Sequence, residues 1–402
     1  MKILQINAVG QIKSTGRTCR ELAQHINQLE GHSCYTAFSI GTEDEFGYQI
    51  GNKRDAKLHA LLSRVTGKQA YFSKGATKKL ISYMKDLQPD VVHLRNLHGN
   101  YIHFPMLMKY LAEEDIPTVV TLHDCWFFTG KCCHYTVDGC YKWQTGCHHC
   151  SRRKKDNTSW LFDRTKKLWK EKKQLFEAIP RLAVTGVSQW VVDEAGKSFL
   201  RCAKEITRIY NWIDLSVFKP QESADQLRAR LVPEGKKVIL GIASDWNNAK
   251  GLEQFMALAN RLGDDYRICL VGLLPRKIQM PENVICIEPT NSEKELAQLY
   301  TMADVFVSLS PEETFSKVSA EALACGTPVV CYDSTANKEL VGPGCGEVHR
   351  LNDLGAVEAS VKKICAQDKS VYGEACRAFV QATFKKEDRI QDYLDLYERI
   401  RV

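Results

Sequence analysis

From Lys2 to Tyr332 the chain alternates short β-branched runs with helix-length amphipathic stretches, and few folds accept that order. The strand candidates are Lys2–Val9, Ser33–Phe38, Val91–Leu94, Thr118–Leu122, Leu182–Val187 and Ile206–Ile209, then Lys237–Ala243, Tyr266–Val271, Val284–Ile287, Val305–Ser308 and Val329–Tyr332. Helical periodicity marks Arg17–Leu29, Lys74–Leu87, Leu252–Leu262, Glu293–Tyr300 and Val318–Ala324 between them. Continuous apolar strands joined by helices build parallel sheets covered on both faces. The predicted class is therefore α/β, with strands enough for two doubly wound, Rossmann-like domains. Ligands of such sheets bind beyond the carboxyl ends of the strands, so two facing sheets would share a central cleft.

At 402 residues the chain exceeds what one hydrophobic core supports, which also favours two domains. Pro220, Pro233 and Gly235 punctuate a polar connector around 211–234. The expected division is 1–210, with a Cys-rich insert at 125–150, then 211–385. A final helix at 386–402 remains. The longest apolar runs are strand-sized, far short of the roughly 20 residues that span a bilayer. The N-terminus lacks a signal-peptide pattern, so the expected location is cytoplasmic, with the inner membrane face as an option. Charge is uneven: residues 1–200 carry net +10 and the remainder −3. The basic runs Lys53–Lys85 and Arg152–Lys173 read either as solvated helix faces or as a surface for an anionic membrane or acceptor. They lack a nucleic-acid-binding module or aromatic stacking pattern, so no nucleic-acid partner is expected.

The segment from Ser310 to Val330 reads SPEETFSKVSAEALACGTPVV. A strand enters a turn, and a helix begins near Ser316. The first amides of a helix have no partner inside it and attract anions, so this turn suits a diphosphate. Glu313 precedes the helix and Glu321 lies in it, eight positions apart, so the two can contact different parts of one extended ligand. An ordinary α/β unit with acidic capping is the alternative. A second loop, Gly241-Ile-Ala-Ser-Asp-Trp-Asn-Asn-Ala-Lys250-Gly251, places a lysine after a strand and before a helix, where it can neutralise phosphate. In the first half, His123 ends a strand within Thr121-Leu-His-Asp-Cys-Trp126, where a structural buried histidine is the alternative. Gly10–Arg17 forms a glycine-containing loop ahead of the first helix.

The Glu313/Glu321 spacing followed by Ala-Cys-Gly-Thr-Pro-Val-Val resembles the E-x7-E segment of retaining GT-B glycosyltransferases, of the group 1, family 4-like type. The likeness runs from Lys2 through the last helix, and it implies an acceptor-side domain at 1–210, a donor domain at 211–385 and a final helix, 386–402, that crosses back to the first domain. It implies that Glu313 holds the donor sugar and Glu321 the nucleotide ribose. Phe315 and the backbone of Ser316, Lys317 and Val318 complete the donor site with Lys250, and Gly16 approaches the diphosphate. His123 lies near the reacting sugar, and Asp90–Asn100 lines the acceptor side. The family's usual glycine is Ser316 here, and Asp245 stands where an arginine is common. The implied reaction transfers a hexosyl or deoxyhexosyl unit from a nucleoside diphosphate sugar with retention, with no cofactor needed for catalysis. The basic Lys53–Lys85 segment, with Leu58, Leu61, Leu62, Tyr71 and Phe72 interspersed, points to a lipid-linked saccharide acceptor, as in capsule, exopolysaccharide or lipopolysaccharide synthesis. An epimerase or hydrolase on the same fold, or a non-catalytic sugar-nucleotide binder, are the rival readings.

Most of the 16 cysteines sit singly in apolar stretches, as small buried thiols do. Cys132, Cys140, Cys147 and Cys150 differ, with spacings x7, x6 and x2 that end in a metal-knuckle C-x2-C. A structural Zn2+ site is the expectation. Free thiols in a packed loop are the alternative, and disulfides suit the expected compartment less.

Overall fold

The computed structural model describes residues 1–290 and 292–402. The chain divides into two compact units, Met1–Ile209 with Ile390–Val402, and Tyr210–Arg389.

The first unit holds strands β1 (Lys2–Val9), β2 (Ser33–Ile40), β3 (Gly47–Gln49), β4 (Val91–Leu94), β5 (Thr118–Leu122), β6 (Leu182–Gly186) and β7 (Glu205–Arg208). Its helices are α1 (Lys13–Ile26), α2 (Lys53–Thr66), α3 (Lys74–Leu87), α4 (Phe104–Glu113), α5 (Thr165–Glu177) and α6 (Gln189–Gly196). The strands form one sheet in the order β3-β2-β1-β4-β5-β6-β7, with every pair parallel. Central strands β4, β5 and β6 are buried at every position, as crossover helices on both faces require.

The second unit holds β8 (Lys237–Asp245), β9 (Tyr266–Leu273), β10 (Val284–Ile287), β11 (Val305–Ser308), β12 (Val329–Asp333) and β13 (Gly346–Arg350). Its helices are α7 (Ala224–Leu231), α8 (Leu252–Leu262), α9 (Glu293–Met302), α10 (Lys317–Ala324), α11 (Leu354–Cys365) and α12 (Ser370–Thr383), and α13 (Lys386–Arg401) begins there. The sheet runs β10-β9-β8-β11-β12-β13, again parallel. Its core packs Phe255, Leu258 and Leu262 of α8 and Val357, Val361 and Ile364 of α11 against Ile239, Leu270, Val305 and Val330.

Each sheet reverses strand direction of growth once, between β1 and β4 and between β8 and β11. Such switch points leave a crevice between the two diverging loops, where ligands of this architecture bind. From Ile390 onward α13 belongs to the first unit, where Tyr397 and Tyr393 reach the buried polar centre of the sheet. The Tyr397 hydroxyl lies 2.7 Å from His93 Nδ1, and that of Tyr393 lies 3.0 Å from Thr121 Oγ1. Burial, then the charge of Arg95, holds the His93 imidazole well below its ordinary pKa, so it is neutral.

Candidate functional site

At the β8/β11 switch point the sequence brings two loops together by specific contacts. Gly251 has φ 76°, and a Cβ there would lie 2.5 Å from the Leu309 carbonyl oxygen, so glycine is required. This approach lays the 3-10 turn Asn248–Lys250 on the end of β11. The Ser310 hydroxyl donates to the Ala249 carbonyl (2.9 Å), and Asn247 Oδ1 accepts the Ala249 amide (2.8 Å). Trp246, buried, donates from Nε1 to the Val271 carbonyl (3.0 Å) and anchors the loop in the core. Lys250 Nζ thereby stands 2.5 Å from Glu313 Oε1, with side chains 39% and 17% exposed.

The Glu313 backbone is clamped from the turn after β12. Its N–H donates to Thr335 Oγ1 (2.8 Å), and Thr335 Oγ1 donates to its carbonyl (2.6 Å). Thr335 holds φ 49°, an uncommon conformation for a β-branched residue. Asn337 Nδ2 and the Ser334 hydroxyl both donate to the Ser310 carbonyl, at 3.0 and 3.2 Å. The loop carrying Glu313 is thus fixed at both ends by the neighbouring loop.

Helix α10 starts at Lys317, with Ser316 as its N-cap. The Ser316 hydroxyl pairs with the Ser319 hydroxyl (2.8 Å), and makes no capping bond to the helix. The Lys317 amide donates to the Phe315 carbonyl at 2.9 Å, so an anion taken by this amide replaces that contact. Phe315 is buried against Phe384 and Tyr210, with ring centroids 5.4 and 6.1 Å away, which fixes the approach to the helix. Glu321 is 2% exposed, and its Oε2 accepts from the Tyr300 hydroxyl at 2.9 Å. Tyr300 is itself held by Thr327, whose hydroxyl donates to the Tyr300 carbonyl (2.6 Å). Burial of a carboxylate is costly unless it is hydrogen-bonded, and Tyr300 supplies that bond. The second unit therefore carries Lys250, Glu313, Phe315, Ser316, Lys317, Val318 and Glu321 on adjacent loops and one helix.

In the first unit, His123 follows β5 directly. Arg95, which ends β4, is 1% exposed and donates to Gln5 Oε1 (2.8 Å), Thr18 Oγ1 (3.1 Å) and His123 Nε2 (3.3 Å). The guanidinium thus sets the ring orientation of His123 and makes its Nε2 the acceptor. Gly16 lies in the first turn of α1, packed on the Gln11 backbone, and the loop before that helix is Gly10–Ile12. Asp124 pairs with His98 (Oδ2 to Nε2, 2.7 Å) and caps the Trp126 amide (2.8 Å). Burial opposes ionisation of Asp124, but the His98 charge and hydrogen bond outweigh it and hold its pKa near 2.

Among the described residues, one group of three potential metal ligands has its atoms within 4.8 Å of one another: His98, Asp124 and Cys133. The four spaced cysteines are less tightly gathered. The Cys132 and Cys150 thiols are hydrogen-bonded together, but no three of the four come within that distance of one another. All sixteen cysteines are unpaired by disulfides. Tyr300 and Thr335 are the site residues that sequence reasoning did not single out, and Arg95, within the Asp90–Asn100 stretch, was not read as the partner of His123.

Residues 15–217 match the family model described as Glycosyltransferase Family 4, and residues 223–385 match Glycosyl transferases group 1. The Escherichia coli (strain K12) glycosyl transferase WcaC, assigned to colanic acid biosynthesis, is 25% identical over 328 residues, covering 78% of this chain and 77% of that one. A sucrose-phosphate synthase from Thermosynechococcus elongatus superposes with TM-score 0.71 at 17% identity, over 100% and 99% of the two chains. Anabaena HepE, solved in complex with UDP-glucose, gives TM-score 0.67 at 15% identity, over 99% and 100%. Neighbours of this kind share the GT-B architecture of two parallel-sheet, Rossmann-like units.

Proposed function

The chain belongs to the group 1, family 4-like glycosyltransferases, and on that premise we propose that it transfers a hexosyl or deoxyhexosyl unit from a nucleoside diphosphate sugar, with retention, to a lipid-linked saccharide. The observation that carries this reading is the Lys250–Glu313 pair at the β8/β11 switch point, beside the N-terminus of the helix that bears Glu321. A cation, a helix mouth and two carboxylates on neighbouring loops match the parts of a sugar diphosphate nucleoside in order.

Lys250 and the amides at Ser316–Val318 take the diphosphate, and Glu321 takes the ribose. Glu313 takes the sugar hydroxyls. As the C1–O bond to the β-phosphate breaks, the charge developing on the diphosphate is held by fixed donors, which need no reorganisation. The acceptor hydroxyl attacks C1 from the same face, and its proton passes to the departing phosphate oxygen. His123 orients the sugar, held in turn by Arg95. No step calls for a metal ion.

HepE, solved with UDP-glucose, and WcaC, assigned to colanic acid biosynthesis, support a nucleotide-sugar donor and a surface-polysaccharide acceptor. Contact with a membrane face is supported by the surface around α2. Leu58 and Leu61 are 56% and 47% exposed among Lys53, Arg54, Lys57 and Arg64, which are also exposed. Trp160, Leu161 and Phe162 are exposed beside them, tied to α2 by the Trp160 amide donating to the Arg64 carbonyl (2.6 Å). Aromatic and aliphatic side chains ringed by basic ones suit an anionic bilayer surface. No helix of the described residues is long and apolar enough to cross a membrane.

A thermal-shift screen of nucleoside diphosphate sugars, followed by turnover of the best donor with lipid-linked saccharide, tests the proposal. Donor-dependent transfer that Glu313→Gln abolishes supports it. Slow hydrolysis or epimerisation unaffected by any acceptor would replace it with one of the rival activities.

A further inference from the structure

Three side chains from three separate segments of the first unit meet beside His123. His98 comes from the loop after β4, Asp124 from the end of β5, and Cys133 from the irregular stretch that follows. Their Nε2, carboxylate oxygen and Sγ lie within 4.8 Å of one another. Asp124 Oδ2 is 2.7 Å from His98 Nε2, and Cys133 Sγ is 3.9 Å from the same nitrogen. A histidine–carboxylate pair is complete as a hydrogen bond and calls for no sulfur beside it. The third atom sets this group apart.

Each of the three is anchored by a further contact. Asp124 Oδ1 accepts the Trp126 amide (2.8 Å), which leaves Oδ2 turned to His98. The His98 carbonyl accepts from Gln69 Nε2 (3.4 Å), and Gln69 Oε1 accepts from Trp126 Nε1 (2.6 Å), so one amide ties both segments. The chain reaches Cys133 by a short reversal. The Thr129 hydroxyl donates to the Cys132 carbonyl (2.7 Å), and the Cys133 carbonyl accepts the Cys125 amide (2.9 Å). Asn157 Nδ2 donates to the Lys131 carbonyl (3.0 Å) and to Cys133 Sγ (3.6 Å). Outer contacts of this sort orient metal ligands and fix which atom each presents.

We propose that His98 Nε2, Asp124 Oδ2 and Cys133 Sγ bind one zinc ion, with water in the fourth position. Imidazole nitrogen, carboxylate oxygen and thiolate sulfur together suit this borderline ion, whereas magnesium and calcium take oxygen ligands. Tetrahedral bonds of about 2.0–2.3 Å set ligand atoms about 3.3–3.6 Å apart, so the N···O pair opens by about 0.6 Å and the N···S pair closes by about 0.3 Å. The His98 and Asp124 side chains are 20% and 16% exposed, which lets an ion enter and a water remain. Binding breaks the Cys133 S–H bond and releases that proton to solvent, and neutral His98 exchanges its Nε2 proton for one on Nδ1. One thiolate and one carboxylate then balance the charge of the ion.

From Leu122 to Thr165 the described residues contain one element, a 3-10 turn at Lys142–Gln144, and so long an irregular stretch is costly to order. An ion shared by His98, Asp124 and Cys133 pins the start of that stretch to the strand ends, next to His123. The competing location is the set Cys132, Cys140, Cys147 and Cys150 expected from spacing, where no three ligand atoms of the described residues gather this closely.

The test is metal analysis of full-length protein purified without chelators. About one zinc per chain is expected, lost in Cys133→Ala and in His98→Gln and kept in Cys147→Ser. Cobalt-substituted wild-type protein, which depends on no variant folding, should show the visible bands of a tetrahedral site with the thiolate-to-metal charge transfer of a single sulfur. Protein that takes up neither zinc nor cobalt overturns the proposal. So does a zinc that stays in Cys133→Ala and leaves with Cys147→Ser, and so does a cobalt spectrum with the stronger charge transfer of several sulfurs.

Discussion

Lys250 Nζ stands 2.5 Å from Glu313 Oε1, so the two charges assigned to neighbouring parts of one donor are here paired with each other. A diphosphate that engages Lys250 must compete with the carboxylate, and the carboxylate so released becomes available to the sugar. Exchange of partners, rather than creation of a new charge, then accompanies donor binding.

From this exchange, Glu313→Gln should cut turnover roughly 100-fold or more while leaving the affinity for the bare nucleoside diphosphate equal or higher, because Lys250 is freed. Lys250→Ala should instead weaken that affinity by roughly 10- to 100-fold, the worth of a charge-assisted hydrogen bond. Calorimetry on the two variants separates the roles. Parallel loss of nucleotide affinity in both would count against the assignment.

Arg95 makes a second prediction. Its guanidinium is buried and serves Gln5, Thr18 and His123 together. Arg95→Met removes the charge but leaves buried acceptors unpaired, at a cost of about 3 kcal/mol. It should also lower turnover through misplacement of His123. In that case Arg95→Met/His123→Ala turns over no more slowly than His123→Ala, whereas a purely structural Arg95 would make the two losses multiply.

Much of this was legible beforehand, for a physical reason. Central parallel strands are buried on both faces, so Val91–Leu94 and Thr118–Leu122 announce themselves as unbroken β-rich runs, and both have those bounds in the structure. The edge strands β3 and β13 were missed, because Gly47-Tyr-Gln and Gly346-Glu-Val-His-Arg are half-exposed and carry no apolar run. In the site, Glu313, Glu321 and Lys250 stood out by position relative to strand and helix. Thr335 and Tyr300 did not, since each reaches its glutamate across about 20 residues of chain through a fold-made contact. The start of α1 at Lys13, ahead of Gly16, was hidden by a first turn without a capping side chain.

Acid should destabilise the fold by a measurable route. His59 is buried, its Nδ1 is 2.8 Å from the Ser73 hydroxyl, and burial followed by the His103 charge pushes its pKa down to about 4. Unfolded histidine titrates near 6.5, so below that pH the unfolded chain binds a proton the folded chain refuses. Stability is therefore full above about pH 6.5, falls as pH drops, and levels below about 4, with roughly 2 kcal/mol lost between pH 7 and pH 5 from this residue. Urea unfolding at the two pH values should show the loss, and His59→Asn should reduce it without removing the part that comes from His93. An unchanged pH dependence in the variant would exclude His59 as its source.

The exposed apolar patch yields a binding prediction. Leu61→Glu with Trp160→Ala should abolish co-flotation with vesicles containing anionic phospholipid and leave nucleotide affinity untouched. Binding to neutral vesicles should be weak in the parent protein, and binding to anionic vesicles should fall with salt. Equal recovery of parent and variant with anionic vesicles would show that this face is merely solvated.

The central claim is a retaining transfer that depends on Glu313, and the anomeric configuration of the product tests it most directly. With the best donor from the screen and a lipid-linked acceptor, proton NMR of the isolated glycoside should show the donor's own anomeric configuration, formed by the wild type and nearly lost with Glu313→Gln. A product of inverted configuration, or one made as fast by Glu313→Gln, would contradict the account.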